Sequence, residues 1–274
     1  MTTVVATPLD IVRLEALLQG ARLGLPLHYR AVTESTNDDA ATLAREGAPE
    51  GTTVVADAQT RGRGRRGRSW SSPPNLNAYV SVVLRPAIPP ERAPQLGIVA
   101  GLAALQAIRA LLPEAELKWP NDVLVRGRKL CGVLAEMSAA SETALDFVIV
   151  GIGVNINALV ADFPEELRGL ATSLRIECGR TIDREEFIAG LLAGLGAEYE
   201  RFTAEGFAPI RQRWEQVCGT IGKRVEVDTG STRFAGTVLG LDEGGALRVE
   251  RMDGGEVEII SGDVYLRESA SSVR

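Results

Sequence analysis

Residues 59 to 70 read QTRGRGRRGRSW, a run of five arginines threaded with three glycines. Cations held this close repel one another and gain little by facing water alone. Guanidinium groups offer planar, forked donors that match the oxygens of phosphate or carboxylate. The glycines permit positive φ and let bare backbone N–H groups approach an anion. On composition alone the run also fits a nucleic-acid patch, an RGG-like disordered tract or a solvated surface loop. Its flanks argue otherwise. It occurs once, inside the chain, between the strand-like segments 52–56 (TTVVA) and 78–84 (AYVSVVL). Pinned between two strands, it reads as a loop that closes over a polyanion.

The rest of the chain narrows the chemistry. Its 274 residues allow one large domain plus a small one. A net charge of −6 argues against a dedicated nucleic-acid binder but leaves room for a local basic site. His28 is the only histidine, which argues against a His-based triad or a multi-histidine metal centre. Cys131, Cys178 and Cys218 are odd in number and form no C-x-x-C pair, as expected of buried thiols in a reducing cytoplasm. The first apolar stretch is broken by Asp10 and Arg13, unlike a signal peptide, and no apolar run reaches membrane-spanning length.

Along the chain, Thr7-Pro8-Leu9-Asp10 predicts a helix start, with Leu14, Leu17 and Leu18 as its apolar stripe and Gly20 as its end. A strand over 27–32 leads into Ser35-Thr36-Asn37. Their hydroxyl and amide groups suit plain N-capping of the next helix, or a small polar ligand held at that helix start. Trp70 to Pro74 make a rigid turn. Leu96, Val99, Leu102, Leu105, Ile108 and Leu112 predict a core helix over 95–112. Two short strands flank Pro120-Asn121-Asp122, and further strands follow over Leu130 to Leu134 with Glu136 and over 144–150. The last runs into Gly151-Ile152-Gly153. With no third glycine and no helix after it, this pair is not a dinucleotide fingerprint. A β-bulge or a close backbone approach to a ligand is the expectation. Asp183 and Glu186 open a helix carrying Phe187, Leu191, Leu195, Tyr199 and Phe202. From Gly222 on, short alternating segments with a turn at Asp242-Glu243-Gly244-Gly245 predict a small β-barrel. Ser269–Arg274 reads as frayed.

In this order the pieces resemble the biotin protein ligases (biotin–acetyl-CoA-carboxylase ligases). The matching elements are Ser35-Thr36-Asn37, Gln59 with GRGRRGR ending at Trp70, KWPNDVLV at Lys118–Val125, RKLCGVL at Arg128–Leu134 and GIGVN at Gly151–Asn155. The resemblance implies an α+β fold: a class II aminoacyl-tRNA-synthetase-like catalytic domain over 1–219 and a C-terminal SH3-like β-barrel over 220–268. It implies ATP, Mg²⁺ and biotin as the small molecules. It implies a biotin carboxyl carrier protein, of acetyl-CoA carboxylase or related biotin enzymes, as partner. It also implies residue roles. Arg63, Arg65, Lys129 and Asp122 would be catalytic. Ser35, Thr36, Asn37, Gln59 and Gly62, with Arg63, Arg65 and Lys129, would bind biotin. Arg65, Arg66, Trp70, Asn121, Lys129 and Asn155 would bind ATP or the adenylate, and Asp122 would be a metal ligand. Many relatives carry a helix-turn-helix domain first. Here about one helix precedes Ser35, so the expectation is a cytoplasmic enzyme that binds neither DNA nor membrane, with a homodimer compatible. The segment 71–77 lacks the glycine common in that turn.

Three rivals stand beside this reading: a lipoate- or octanoate-handling ligase, a nucleic-acid-binding module and a non-catalytic biotin sensor. Without ligand, the arginine loop is expected to lack a single conformation, because like charges and glycines disfavour one.

Overall fold

The runs of β-branched residues form the strands expected of them. The computed structural model describes residues 7–266. Its first sheet contains β1 (Leu27–Arg30), β2 (Thr53–Ala56), β3 (Ala78–Leu84), β4 (Glu116–Lys118), β5 (Asp122–Val125), β6 (Arg128–Ala139) and β7 (Leu145–Val154). Their order in space is β1-β2-β3-β7-β6-β5-β4. Only β1 and β2 run parallel, and α2 (Thr36–Arg45) lies between them in sequence as the crossover such a pair requires. β5 and β6 meet through Arg126 and Gly127, both at positive φ (49° and 75°), the conformation of a tight two-residue hairpin.

One face of the sheet carries the main core. There α3 (Gln95–Arg109) and α5 (Arg184–Glu205) pack with α1 (Ile11–Leu17) and α6 (Phe207–Val217), burying Leu96, Val99, Ile108, Leu191 and Trp214. On the other face α2 sets Ala40 and Ala44 against Val54, Val83, Phe147 and Ile149. This second helix covers only half of its face, and the uncovered half becomes the site described below.

A second, antiparallel sheet follows. Its strands β8 (Arg224–Asp228), β9 (Arg233–Leu241), β10 (Leu247–Arg251), β11 (Glu256–Ile259) and β12 (Asp263–Leu266) lie in the order β11-β10-β9-β8-β12. The turn after β9 docks on the first domain. The carbonyl of Glu243 accepts from Gln95 Nε2 at 3.0 Å, and that of Gly245 from Trp119 Nε1 at 3.3 Å. Val225, Val227 and Val249 join the same apolar core as α3 and α5.

Several expectations shift. The first helix begins at Ile11 rather than near Thr7, because the Asp10 carboxylate accepts from Arg13 N at 3.0 Å and outcompetes the upstream hydroxyl as a cap. The core helix ends at Arg109, not Leu112. β6 continues to Ala139, past the expected end at Glu136. The short helix α4 (Leu174–Cys178), α6 and β12 had no distinct signal in the sequence. The frayed segment Ser269–Arg274 lies outside the described residues. The molecule is α+β with a C-terminal antiparallel sheet.

Candidate active site

The uncovered half of the sheet has a glycine floor. Gly132 on β6 pairs with Gly153 on β7, Gly153 pairs with Tyr79 on β3, and Gly151 pairs with Ser81. Pairing across Gly151 and Gly153 is regular, so no bulge forms there. The close approach is by the protein itself. A Cβ on Gly153 would stand 2.6 Å from the Trp70 indole, one on Gly132 would stand 3.0 Å from it, and one on Gly151 would run into the Asn37 amide. Asn37 and Trp70, not a ligand directly, occupy the space these glycines leave. Above the floor lies a cavity of about 500 Å³.

One wall is polar. At the start of α2, Gln59 Oε1 accepts from Thr36 N at 2.9 Å and from Thr36 Oγ1 at 3.1 Å, while Gln59 Nε2 donates to Ser72 Oγ at 3.0 Å. Ser81 Oγ lies 2.8 Å from the Thr36 hydroxyl and donates to Asn37 Oδ1 at 2.6 Å. Asn37 Nδ2 donates to Glu136 Oε2 at 2.6 Å. Ser35 occupies the N-cap position with extended backbone, but its side chain makes no capping bond. The two readings of Ser35-Thr36-Asn37 therefore separate. Capping does not use the Ser35 side chain, and the other two are fixed in a buried network bordering the cavity.

The arginine loop is a hairpin in this structure. Arg63 pairs with Ser69, Gly64 N donates to Arg68 O at 2.6 Å, and Trp70 N donates to Gly62 O at 2.8 Å. A 3-10 turn over Arg65–Gly67 closes it, with Arg66 (φ 57°) and Gly67 (φ 74°) in the left-handed region. In this conformation its arginines meet carboxylates that the local sequence does not show. Arg61 pairs with Glu34; Arg63 with Asp38 and Glu136; Arg66 and Arg68 with Asp263 at 3.1 and 2.6 Å.

Arg65 is the exception. It enters the cavity wall, its Nη2 donates to Ser261 Oγ at 3.2 Å and its guanidinium lies 5.8 Å from the Trp119 ring centre. Among the described residues no carboxylate comes within ion-pair distance of it. Burial pulls its pKa below the ordinary value, and Asp263 and Asp122 only partly oppose this. Lys118, on the same wall, is pulled down by burial in the same way, its Nζ 5.3 Å from the Tyr265 ring centre. Lys129 Nζ stands 2.7 Å from Asp122 Oδ1 and 5.4 Å from the Trp70 ring centre. Trp70 Nε1 is buried with no partner. The cavity thus sets desolvated cations against a neutral hydrogen-bonding wall. That arrangement suits an anionic group on a polar, uncharged body.

Most of the expected residues converge here: Ser35, Thr36, Asn37, Gln59, Arg63, Arg65, Trp70, Asn121, Asp122, Lys129 and Asn155 all border the cavity. Two do not. Gly62 lies behind Gln59, where a Cβ would meet the amide at 2.9 Å. Arg66 points away to Asp263 and the Asp228 carbonyl, because the left-handed turn reverses the chain beneath it. Asn121 donates its side-chain amide to the Val133 carbonyl, and Asn155 Nδ2 donates to Thr172 O at 3.0 Å, so part of each side chain is committed to the scaffold. The protein alone builds no metal cage around Asp122. No three His, Cys, Asp or Glu side chains converge among the described residues, and Asp122 faces an ammonium. Lys118, Tyr79 and Ser81 were not singled out in sequence. Lys118 sits beside a motif that drew attention to its neighbours, while the other two read as ordinary strand residues.

Comparison with known proteins agrees with this geometry. Residues 29–155 match the model of the biotin/lipoate A/B protein ligase family, and residues 220–267 match the biotin protein ligase C terminal domain. The chain is 41% identical over 245 residues to the bifunctional ligase/repressor BirA of Bacillus subtilis, covering 89% of this chain and 75% of that protein. It is 37% identical over 268 residues to the biotin–[acetyl-CoA-carboxylase] ligase of Mycobacterium tuberculosis, covering 94% and 95%. The biotin protein ligase from Aquifex aeolicus in complex with biotin and ATP superposes with a TM-score of 0.74 at 32% identity, covering 89% of this chain and 99% of that one. The chain belongs to the biotin protein ligases of the biotin/lipoate A/B protein ligase family.

Proposed function

We propose that this cavity carries out both half-reactions of biotin transfer. In the first, a carboxylate oxygen of biotin attacks the α-phosphorus of ATP, pyrophosphate leaves, and biotinyl-5′-AMP remains. In the second, the ε-amine of a lysine on a biotin carboxyl carrier protein attacks the carbonyl carbon, AMP leaves, and an amide forms. The observation that carries this reading is Arg65, a partly buried guanidinium in the cavity wall with no carboxylate partner among the described residues. Transfer at phosphorus is mainly positioning and charge stabilisation, so preformed cations supply much of what it needs.

The roles follow from position. Thr36, Asn37 and Gln59 would face the ureido ring of biotin, which needs both donors and acceptors. Lys129 would stand between the biotin carboxylate and the α-phosphate, with Asp122 holding its ammonium until the anions arrive. Arg65 and Lys118 would offset charge on the phosphates, and Trp70 and Asn155 would border the adenosine. Arg63 would contact the carboxylate. Magnesium would come with the nucleotide phosphates rather than a protein cage. The catalytic unit would be residues 1–219, with a class II synthetase-like sheet, and residues 220–268 an SH3-like barrel. A lipoate- or octanoate-type ligase would want an apolar wall where Thr36, Asn37 and Gln59 stand. No described helix is long and apolar enough to cross a membrane.

The test is pyrophosphate release from MgATP with and without biotin, repeated on Arg65→Ala. Release should depend on biotin, and the substitution should lower kcat/KM by about 100-fold or more, as for loss of a transition-state donor. Biotin binding without pyrophosphate release would favour a sensor. Absence of both biotin binding and pyrophosphate release would refute the ligase reading.

A further inference from the structure

Arg63 stands next to the polar wall, yet its guanidinium is already spent on carboxylates of the protein. Both terminal nitrogens reach Asp38, one of them at 2.7 Å, and the same nitrogen reaches Glu136 Oε2 at 3.1 Å. Asp38 lies in the first turn of α2, where the helix dipole favours a negative charge. Glu136 comes from the part of β6 that extends past β5 and also holds Asn37. A forked guanidinium edge receives one carboxylate at a time. A substrate carboxylate that is to use this edge of Arg63 must therefore displace Asp38.

We propose that Asp38 is an internal surrogate for the substrate carboxylate. It holds Arg63, and through it the hairpin, while the cavity is empty, and substrate binding exchanges one carboxylate for the other. This rests on the reading of the cavity as a site that activates biotin, and it adds a control on entry to that site. No covalent bond changes in the exchange. The Asp38 side chain is 53% exposed, so water takes up its charge on release, and ion pairs this exposed are weakly held. Glu136 keeps its bond to Asn37, so the polar wall survives the exchange. Arg65, with no carboxylate to give up, has no such competition.

The test measures KM and kcat for biotin by pyrophosphate release in the unmodified chain, Asp38→Asn and Asp38→Glu. Trypsin cleavage within Arg61–Arg68, without ligand, is measured in parallel. Asp38→Asn should lower the KM for biotin about two- to five-fold, the size expected on removing a competing exposed pair. It should also quicken cleavage of the hairpin, while Asp38→Glu, which keeps the charge, should track the unmodified chain. An active unmodified chain whose Asp38→Asn variant shows an equal or higher KM overturns the surrogate alone. Equal cleavage of the Asp38→Asn and unmodified hairpins overturns the hold on the loop. An unmodified chain that releases no pyrophosphate with biotin overturns the ligase reading, and the surrogate with it.

Discussion

At the scale of single residues, the base of the arginine loop rests on one buried carboxylate. Asp57 Oδ1 accepts from Arg184 Nη2 at 2.7 Å, and its Oδ2 accepts from the Tyr29 hydroxyl at 2.6 Å. Both members of the ion pair are buried, which makes the loss of either one expensive. Asp57→Ala should destabilise the protein by about 3–5 kcal/mol, measured by denaturant unfolding, because it strands a guanidinium in the interior. A loss below about 1 kcal/mol would mean water or a neighbour takes over the charge. This dependence was not legible in the sequence, since Asp57 and Arg184 are 127 residues apart. The same limit hid Glu136 and Asp263. By contrast, Gln59, Arg65 and Lys129 were singled out because they sit in contiguous motifs that resemble those of the family, and all three border the cavity. The glycine pair was half legible. Its need for space showed in the sequence, but what fills that space depends on which strands become neighbours.

At the scale of elements, the hairpin over 62–70 bridges the two sheets. Asp263, at the start of β12, receives Arg66 and Arg68, so a loop from the first domain is tied to a strand of the second. Asp263→Ala should change global stability by about 1 kcal/mol or less, because the pairs are partly exposed. It should nonetheless raise hydrogen exchange of the amides over 64–68, read by mass spectrometry. Unchanged exchange there would mean that the backbone pairing of Arg63 with Ser69 suffices. Element identity was largely legible from periodicity in α3, α5 and β3, where apolar residues repeat without interruption. α6 escaped because only Ile210 and Trp214 are buried along it, too sparse a stripe to stand out.

At the scale of the whole molecule, the two sheets share one apolar core. Val225, Val227, Val238 and Leu247 of the second sheet belong to the cluster that contains Leu96, Ile98 and Trp214 of the first domain. Calorimetry should therefore show a single unfolding transition, with van't Hoff and calorimetric enthalpies in agreement. Two resolved transitions would show that the second sheet folds on its own account. The two-part organisation was legible from the change in texture near Gly222. The docking of the Asp242–Gly245 turn onto Gln95 and Trp119 was not, because turn chemistry specifies a reversal of the chain and not what the reversal touches.

The tryptophans are distributed in a way that has a practical use. Trp214 is sealed in the core, whereas Trp70 and Trp119 both border the cavity, Trp70 with a free indole N–H and an ammonium near its ring, Trp119 with its N–H tied to the Gly245 carbonyl and the Arg65 guanidinium near its ring. A molecule that fills the cavity changes the surroundings of these two indoles and leaves Trp214 untouched. Their ultraviolet emission is therefore a built-in, label-free gauge of occupancy, and stopped-flow fluorescence can time the arrival of each substrate without modifying the protein.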